Sequence, residues 1–357
     1  MKSHRTSFLD IFPTPRFLEM PTVGLDISDH MIRFIELKRV SSRFELGRYG
    51  KEVLPKDVIE EGYIKDKKKF IEILSSIQQK YNLSFIKASL PEEKSYLFKI
   101  ELPMMDEHDI RGALQFKIEE NVPISLADAV YDYRILKTPQ PGDKTLRVSV
   151  TVVHTKVVSS YLEAFNAAKL TPVELQIESQ AFSHAAIPND ALETYILISM
   201  RENRTVLAIV SEREVQFTST LAIGGDSIAD SIGKNLNVDA AEVEKIREGK
   251  EVRESNEMFL SLVNAASALR DEVQKLLAYW DNHSQEHGHN RTIEKIIISG
   301  SDAMLGLDDY LSRSLNMKAT IADPWVNILK INDYIPPITL REALDYLPAL
   351  GLALPYD

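Results

Sequence analysis

One strand-and-turn pattern occurs twice in this chain. Val23, Leu25 and Ile27 alternate with Gly24, Asp26 and Ser28, a two-residue period that makes a strand. After a short polar break, Ile32 to Lys38 reads as a second strand and Arg43 to Tyr49 as a third. Beyond Asn189 the order returns: Tyr195 to Ser199, a polar turn over Met200 to Arg204, then strands over Thr205 to Val210 and Glu214 to Leu221. An offset of 173 positions sets Ser199 over Asp26 and keeps the turns in step. A chain carrying two such copies is constrained to two related α/β lobes with a cleft between them, across which two strand-to-turn edges face each other.

Helical spacing supplies the covering layers. Phe70, Leu74, Ile77 and Tyr81 predict an amphipathic helix over about Lys65 to Tyr81, and Leu307, Leu311 and Leu315 predict one after a strand over Ile293 to Gly300. The stripe on Met258 to Trp280 reads as core. Between the copies lies a different grammar. It runs as a strand from Phe85 up to Pro103, a helix with Ile110, Ala113, Leu114 and Ile118 on one face, and strands over Ala129 to Leu136 and Leu146 to Val153. A helix carrying Val158, Tyr161, Leu162 and Phe165 and a strand over Pro172 to Ile177 follow. Asp106 is placed to cap the first of these helices, with Asp109 in its first turn. The expected organisation is a tail (1–20), a first lobe (21–95 and 173–190), a small α+β insert (96–172) and a second lobe (191–357).

A formal charge of -11 on 357 residues, with no clustered basic surface, excludes a nucleic-acid backbone as partner and makes a basic peptide the easier ligand. The absence of cysteine excludes disulfides and thiolate chemistry and fits a reducing compartment, so a cytoplasmic protein is expected. No apolar run approaches the roughly 20 residues of a membrane helix. The first 20 residues, broken by Pro13, Pro15, Arg16 and Glu19, are not a signal peptide and are read as a tail packed on its own domain. His283, His287 and His289 are read as members of a polar loop rather than metal ligands, and the run Lys65 to Lys69 as the solvated start of a helix.

The acid at the end of the first strand has two readings. Tight turns with exposed N–H groups bind phosphate oxygens, and an acid beside them can hold hydrated Mg²⁺. An acid there can also simply bond its own turn. The duplication favours the first, which makes Asp26 solvent-facing and ligand-directed.

The stretch VGLDISDHMIRFIEL resembles the first phosphate motif of the actin-like ATPase superfamily, with Asp26 kept, Ser28 in place of a glycine and Arg33 in place of a lysine. LPMMDEHDIRGALQFKIEENVPI followed by VYDYRIL is similar to the insert shared by the PilM family of type IV pilus assembly proteins and the division protein FtsA. Leu102, Pro103, Glu119, Pro123, Asp132 and Tyr133 carry that likeness. On these motifs the chain is identified as a member of the PilM family from about Pro21 onward, which implies the actin-like ATPase fold: two duplicated α/β lobes with a small α+β insert in the first.

The resemblance also implies ATP with Mg²⁺. Nucleotide contacts would come from Asp26, Ser28, Asp29, His30 and Arg33, from Ser199 and Thr205 in SMRENRT, and from Gly224, Gly225 and Asp226 in IGGD. Glu242 and Lys245 in AEVEK, and Gly300 and Ser301 in IIISGSDAMLGL, would complete the set, with Asp26 as the metal ligand. Ser199 stands where the family has a second acid and Arg201 where it has a glycine, so binding with at most slow hydrolysis is expected and no catalytic residue is assigned. Arg201 or Arg204 can instead meet a phosphate. The implied partners are the cytoplasmic N-terminal tail of a PilN-like bitopic membrane protein, held between insert and first lobe, and other pilus platform proteins. Membrane association, peripheral to the inner membrane, is then only through partners. A nucleotide-free scaffold is the close alternative. An FtsA-like division protein is disfavoured by the short, proline-bounded LPALGLALPYD, and a sugar or acetate kinase by Ser199 and Arg201.

Overall fold

Alternation becomes sheet at both predicted places. A computed structural model describes residues 22–40, 43–136, 144–247, 256–286, 292–300, 303, 306–328 and 335–355. Strands β1 (Thr22–Ile27), β2 (Met31–Val40) and β3 (Arg43–Val53) form an antiparallel meander with Asp26 opposite Arg33. After a two-residue hairpin, β4 (Ile59–Glu60) and β5 (Tyr63–Ile64), helix α1 (Lys67–Tyr81) buries Phe70, Leu74 and Ile77, and its N-cap Asp66 accepts from the Lys69 N–H. β6 (Phe85–Leu90) then adds parallel to β1.

The stretch expected to be one strand up to Pro103 is two. Pro91 and the short 3₁₀ turn Glu92–Lys94 redirect the chain, so β7 (Ser95–Pro103) leaves the first-lobe sheet for another. There it joins β8 (Ala129–Ile135) and β9 (Thr145–His154) in the order β7-β9-β8, covered by α2 (Glu107–Asn121) through Ile110, Leu114 and Ile118. Asp106 is the N-cap residue of α2, but its side chain makes no capping bond, contrary to expectation.

Helix α3 (Thr155–Ala167) puts Val157, Tyr161 and Phe165 into the core with Phe34 and Phe70, and β10 (Thr171–Ile177) pairs parallel with β6. The insert sheet therefore ends at about 154, and the last two elements expected in 96–172 pack as part of the first lobe. The first-lobe sheet runs β10-β6-β1-β2-β3.

After α4 (Glu178–Ala186) the second meander, β11 (Thr194–Met200), β12 (Thr205–Ser211) and β13 (Glu214–Leu221), repeats the first. Ser199 faces Val206 as Asp26 faces Arg33, the register the 173-residue offset requires. Helices α5 (Gly225–Leu236), α6 (Ala240–Arg247) and α7 (Asn256–Glu286) follow, then β14 (Ile293–Ser299), α8 (Leu307–Leu315) and β15 (Ala319–Ile321). The second sheet, β13-β12-β11-β14-β15, is the first one's topology over again: a meander whose initial strand takes a parallel neighbour, which takes a second one in turn.

After α9 (Leu340–Asp345), α10 (Leu347–Ala353) crosses back from the second lobe onto β1 and α4. The fit is backbone on backbone. A Cβ on Gly24 would stand 1.9 Å from the Ala349 carbonyl oxygen, and one on Gly351 1.7 Å from that of Ala181. LPALGLALPYD is thus inter-lobe core over its described part, sharing a cluster with Ile35, Phe182, Leu197 and Ala208, and residues 347–353 do not pack as part of a separate second lobe. Among the described residues no helix is long and apolar enough to cross a membrane.

Candidate functional site

The two matched turns face each other across the cleft, and charged side chains fill the space between them. Asp26 is fully buried, which corrects the expectation that it faces solvent. One of its carboxylate oxygens accepts from the Ser89 hydroxyl at 3.0 Å, and the other from Arg201 Nη2 at 2.7 Å. The same guanidinium donates through Nε to Glu178 at 3.0 Å. Glu178, at the start of α4, also accepts from the Ser199 hydroxyl at 2.9 Å and from Arg204 Nη2 at 2.9 Å. Arg204 spends Nη1 on Glu93 at 2.8 Å and lies 4.0 Å from Asp29.

The two intervening residues cross as well. Glu202 accepts from Arg33 Nη2 at 2.8 Å, and Asn203 donates to Asp29 at 3.3 Å. Each consecutive side chain from Arg201 to Arg204 is therefore bonded to the first lobe or to α4. A buried charge is tolerated only when paired and hydrogen-bonded, and this cluster meets most of that need internally. Burial alone would raise Glu178, but Arg201 and Arg204 outweigh it and hold the carboxyl at about 2. Glu202 is likewise kept at about 2, Arg33 and Arg201 overcoming its desolvation. Both arginines gain more from their acids than burial takes away, so their affinity for a proton rises.

The turn amides are also committed. Ser28 N–H and its hydroxyl both bond the Met31 carbonyl, and Asp29 accepts from the amides of Glu61 and Gly62. Arg201 N–H bonds Arg204 O, while the Gly225 and Asp226 amides at the start of α5 donate to Arg201 O and Glu202 O. Gly224 lets these two turns touch: a Cβ there would stand 2.3 Å from Glu202 O and 2.5 Å from Arg204 N. Thr205 donates to Ile223 O at 2.7 Å, closing the same joint. Gly300, at φ +105, lies against the end of β11, where a Cβ would meet Met200 O at 1.9 Å. Among the described residues, the space between Arg33, Ser199, Arg201 and Gly300 is a cavity of about 10 Å³, room for about one water. A triphosphate with a hydrated metal does not fit among these groups as they stand, and Asp26 has no oxygen unclaimed by protein.

The model of the family described as type IV pilus assembly protein PilM matches residues 24–356, nearly the whole chain. The chain belongs to the PilM family. Its fold is that of a solved structure titled as a PilM-PilN type IV pilus biogenesis complex (TM-score 0.76, 16% identity, 94% of this chain and 98% of that one). It is also similar to the ethanolamine utilization protein EutJ of Carboxydothermus hydrogenoformans (TM-score 0.53, 13% identity, 94% and 89% covered). A third likeness is to MreB5 of Spiroplasma citri, in a structure titled as bound to ADP (TM-score 0.50, 14% identity, 86% and 92% covered). These likenesses establish the actin-like fold for this PilM-family chain.

The fold brings Asp26, Arg33, Ser199 and Gly300 together at the cavity and cluster just described, with Asp29 bonded at its edge. His30 supplies a carbonyl to Leu54 N–H. Glu242, half-buried, and Lys245, exposed, stand on α6, which packs on α5. Ser301, His287 and His289, the first 20 residues and residues 138–143 lie outside the described residues, while His283, expected in a polar loop, lies within α7. The decisive groups missed in the sequence are Glu178, Glu93, Glu202 and Ser89. A signal existed for the first two: Glu178 and Glu93 each sit where an otherwise apolar strand hands over to the next element, at the lobe interface.

Proposed function

We propose that this chain acts in type IV pilus assembly as a scaffold that receives the cytoplasmic N-terminal tail of a PilN-like bitopic membrane protein, and that this partner holds it at the inner membrane. The supporting observation is a groove of about 240 Å³ between the insert and the first lobe. Its walls are two sheet edges, because among the described residues β8 ends one sheet and β10 ends the other. Edge strands present unpaired N–H and C=O groups, which an extended peptide can take up by strand addition. Val130, 42% exposed, and Tyr131 give the groove apolar footing. Gln176 brings a buried carbonyl oxygen with no partner to the same wall, an acceptor suited to a peptide N–H. Asp132, Glu174 and Glu214 outnumber the one cation of the described lining, Arg134, which is itself paired with Glu214, and that balance favours a basic segment.

The test is fluorescence anisotropy with a labelled peptide of that tail. Saturable binding is expected, weakened at least about tenfold by Val130→Arg, since a like charge is set against a basic ligand at a position where the fold tolerates it. Equal affinity for both chains would remove the groove from the reading.

A further inference from the structure

A turn that grips phosphate offers backbone N–H groups and a cation-holding acid, and the ligand then draws two lobes together. Here the main offers at the described turns are taken up by protein: both Asp26 oxygens, the amides of Ser28, Arg201, Gly225 and Asp226, and the Ser199 hydroxyl. We propose that Arg201 is a built-in latch, its guanidinium standing between the two turns in the place of a metal–phosphate group and holding the lobes closed without nucleotide.

Several independent features meet in this assignment. Arginine is always charged and presents a rigid fork, so one side chain can join Asp26 of the first lobe to Glu178 of α4 while its backbone stays in the second lobe. Lysine would reach only one of them. The paired side chains are 4% exposed on Arg201, 0% on Asp26 and 2% on Glu178, so water does not screen them as it screens a surface pair. The neighbours repeat the crossing with Arg33–Glu202, Asp29–Asn203 and Glu93–Arg204. The α10 helix then crosses between the lobes in backbone contact with β1 and α4. A polar clasp and an apolar crossing thus close the same interface. None of the latch residues lines the peptide groove among the described residues, so the inference stands apart from the tail-binding reading.

The test uses the whole chain. Titration with a fluorescent ATP analogue and Mg²⁺ is expected to show no saturable binding up to about 1 mM and no rise in Tm, whereas a ligand at a hundred times its Kd would raise Tm by several degrees. Arg201→Met is expected to lower Tm by roughly 5–15 °C, enlarge the radius of gyration in solution scattering, and speed amide exchange at residues 22–31 and 199–206. Adding Asp26→Asn to it should recover part of the loss, because the uncompensated charge goes too. If Arg201→Met does not fold, Arg201→Lys is read the same way, with a smaller rise in exchange expected. Saturable Mg-ATP binding by the unaltered chain, or exchange at both turns unchanged in the foldable variant, would overturn the latch.

Discussion

The two copies of the strand-and-turn device keep one geometry and have taken opposite chemistry. In the first, the turn after β1 is acidic and bonded mainly within its own lobe: Ser28 bonds Met31, and Asp29 holds the amides of Glu61 and Gly62, with one bond received from Asn203. In the second, the turn after β11 is Arg201-Glu202-Asn203-Arg204, and every side chain in it reaches away to the first lobe or α4. The two matched turns face one another, so complementary charges on them join the copies. The difference teaches that a repeat retained in backbone can turn from a shared ligand cradle into an internal fastening with few substitutions, since only the turn residues need to change.

The comparison breaks most completely at Glu178, which serves the second turn three times over. Glu178→Ala is expected to cost about 3–5 kcal/mol in urea unfolding, because it leaves Arg201, Arg204 and Ser199 without their common acceptor. The same group sets an acid limit. Its carboxyl is held at about 2 from an ordinary 4.5, so the stability it contributes is complete above pH 4.5 and is lost as pH falls toward 2. Glu202, also at about 2, adds to the loss in the same window. Stability measured from pH 6 to pH 2 should fall steeply in the unaltered chain and less so in Glu178→Ala. A parallel decline in both would show that Glu178 is not the acid-sensitive group.

Glu92 sharpens the contrast, as a buried acid beside the cluster with no cation of its own among the described residues. Burial pushes its carboxyl up to about 7, against the opposing bonds from the Ser179 amide and hydroxyl, both at 2.9 Å, while the charge of Glu178 pushes the same way as burial. A raised carboxylate works in reverse: its stabilising contribution is present below pH 4.5 and is lost as pH rises through about 7. Glu92→Gln is expected to flatten the decline in stability between pH 4.5 and pH 8, by on the order of 1–3 kcal/mol, in chemical unfolding at a series of pH values. An unchanged slope would place the titrating group elsewhere.

The fold was legible because its signals are local or repeated. Val23-Leu25-Ile27, the helical stripe at Phe70, Leu74 and Ile77, and the offset between Asp26 and Ser199 each follow from backbone periods that any side chain of the right polarity reveals. What was not legible is pairing. Pro91 was visible, yet that it parts β6 from β7 into two sheets depends on which neighbour each strand finds. Arg201 stands out as a bulky side chain at a glycine position, but its partners are 23 and 175 residues away, and no local pattern joins Arg201 to Glu178 or to Asp26. The acid of the first motif reads as ligand-facing because acids are rarely fully buried, and the exception needs a cation that only the folded second lobe supplies.

The smallest effect tests whether the first turn is as self-contained as its bonds indicate. Ser28 accepts from Met31 N–H at 3.1 Å and donates to Met31 O at 3.2 Å, closing its own turn without reaching the other lobe. Ser28→Ala should therefore cost about 0.5–1.5 kcal/mol, the worth of an ordinary hydrogen bond, and leave amide exchange at residues 199–206 as it was. The Ser28 backbone amide still has Met31 O at 2.9 Å, so the turn keeps its closing bond. A loss as large as that of Glu178→Ala, or faster exchange in the second turn, would show that the two turns share one network, with the bond across Asp26 and Arg201 transmitting strain in both directions. A small, local loss would instead fix the asymmetry: the first turn completes itself, and the second is completed by its neighbour.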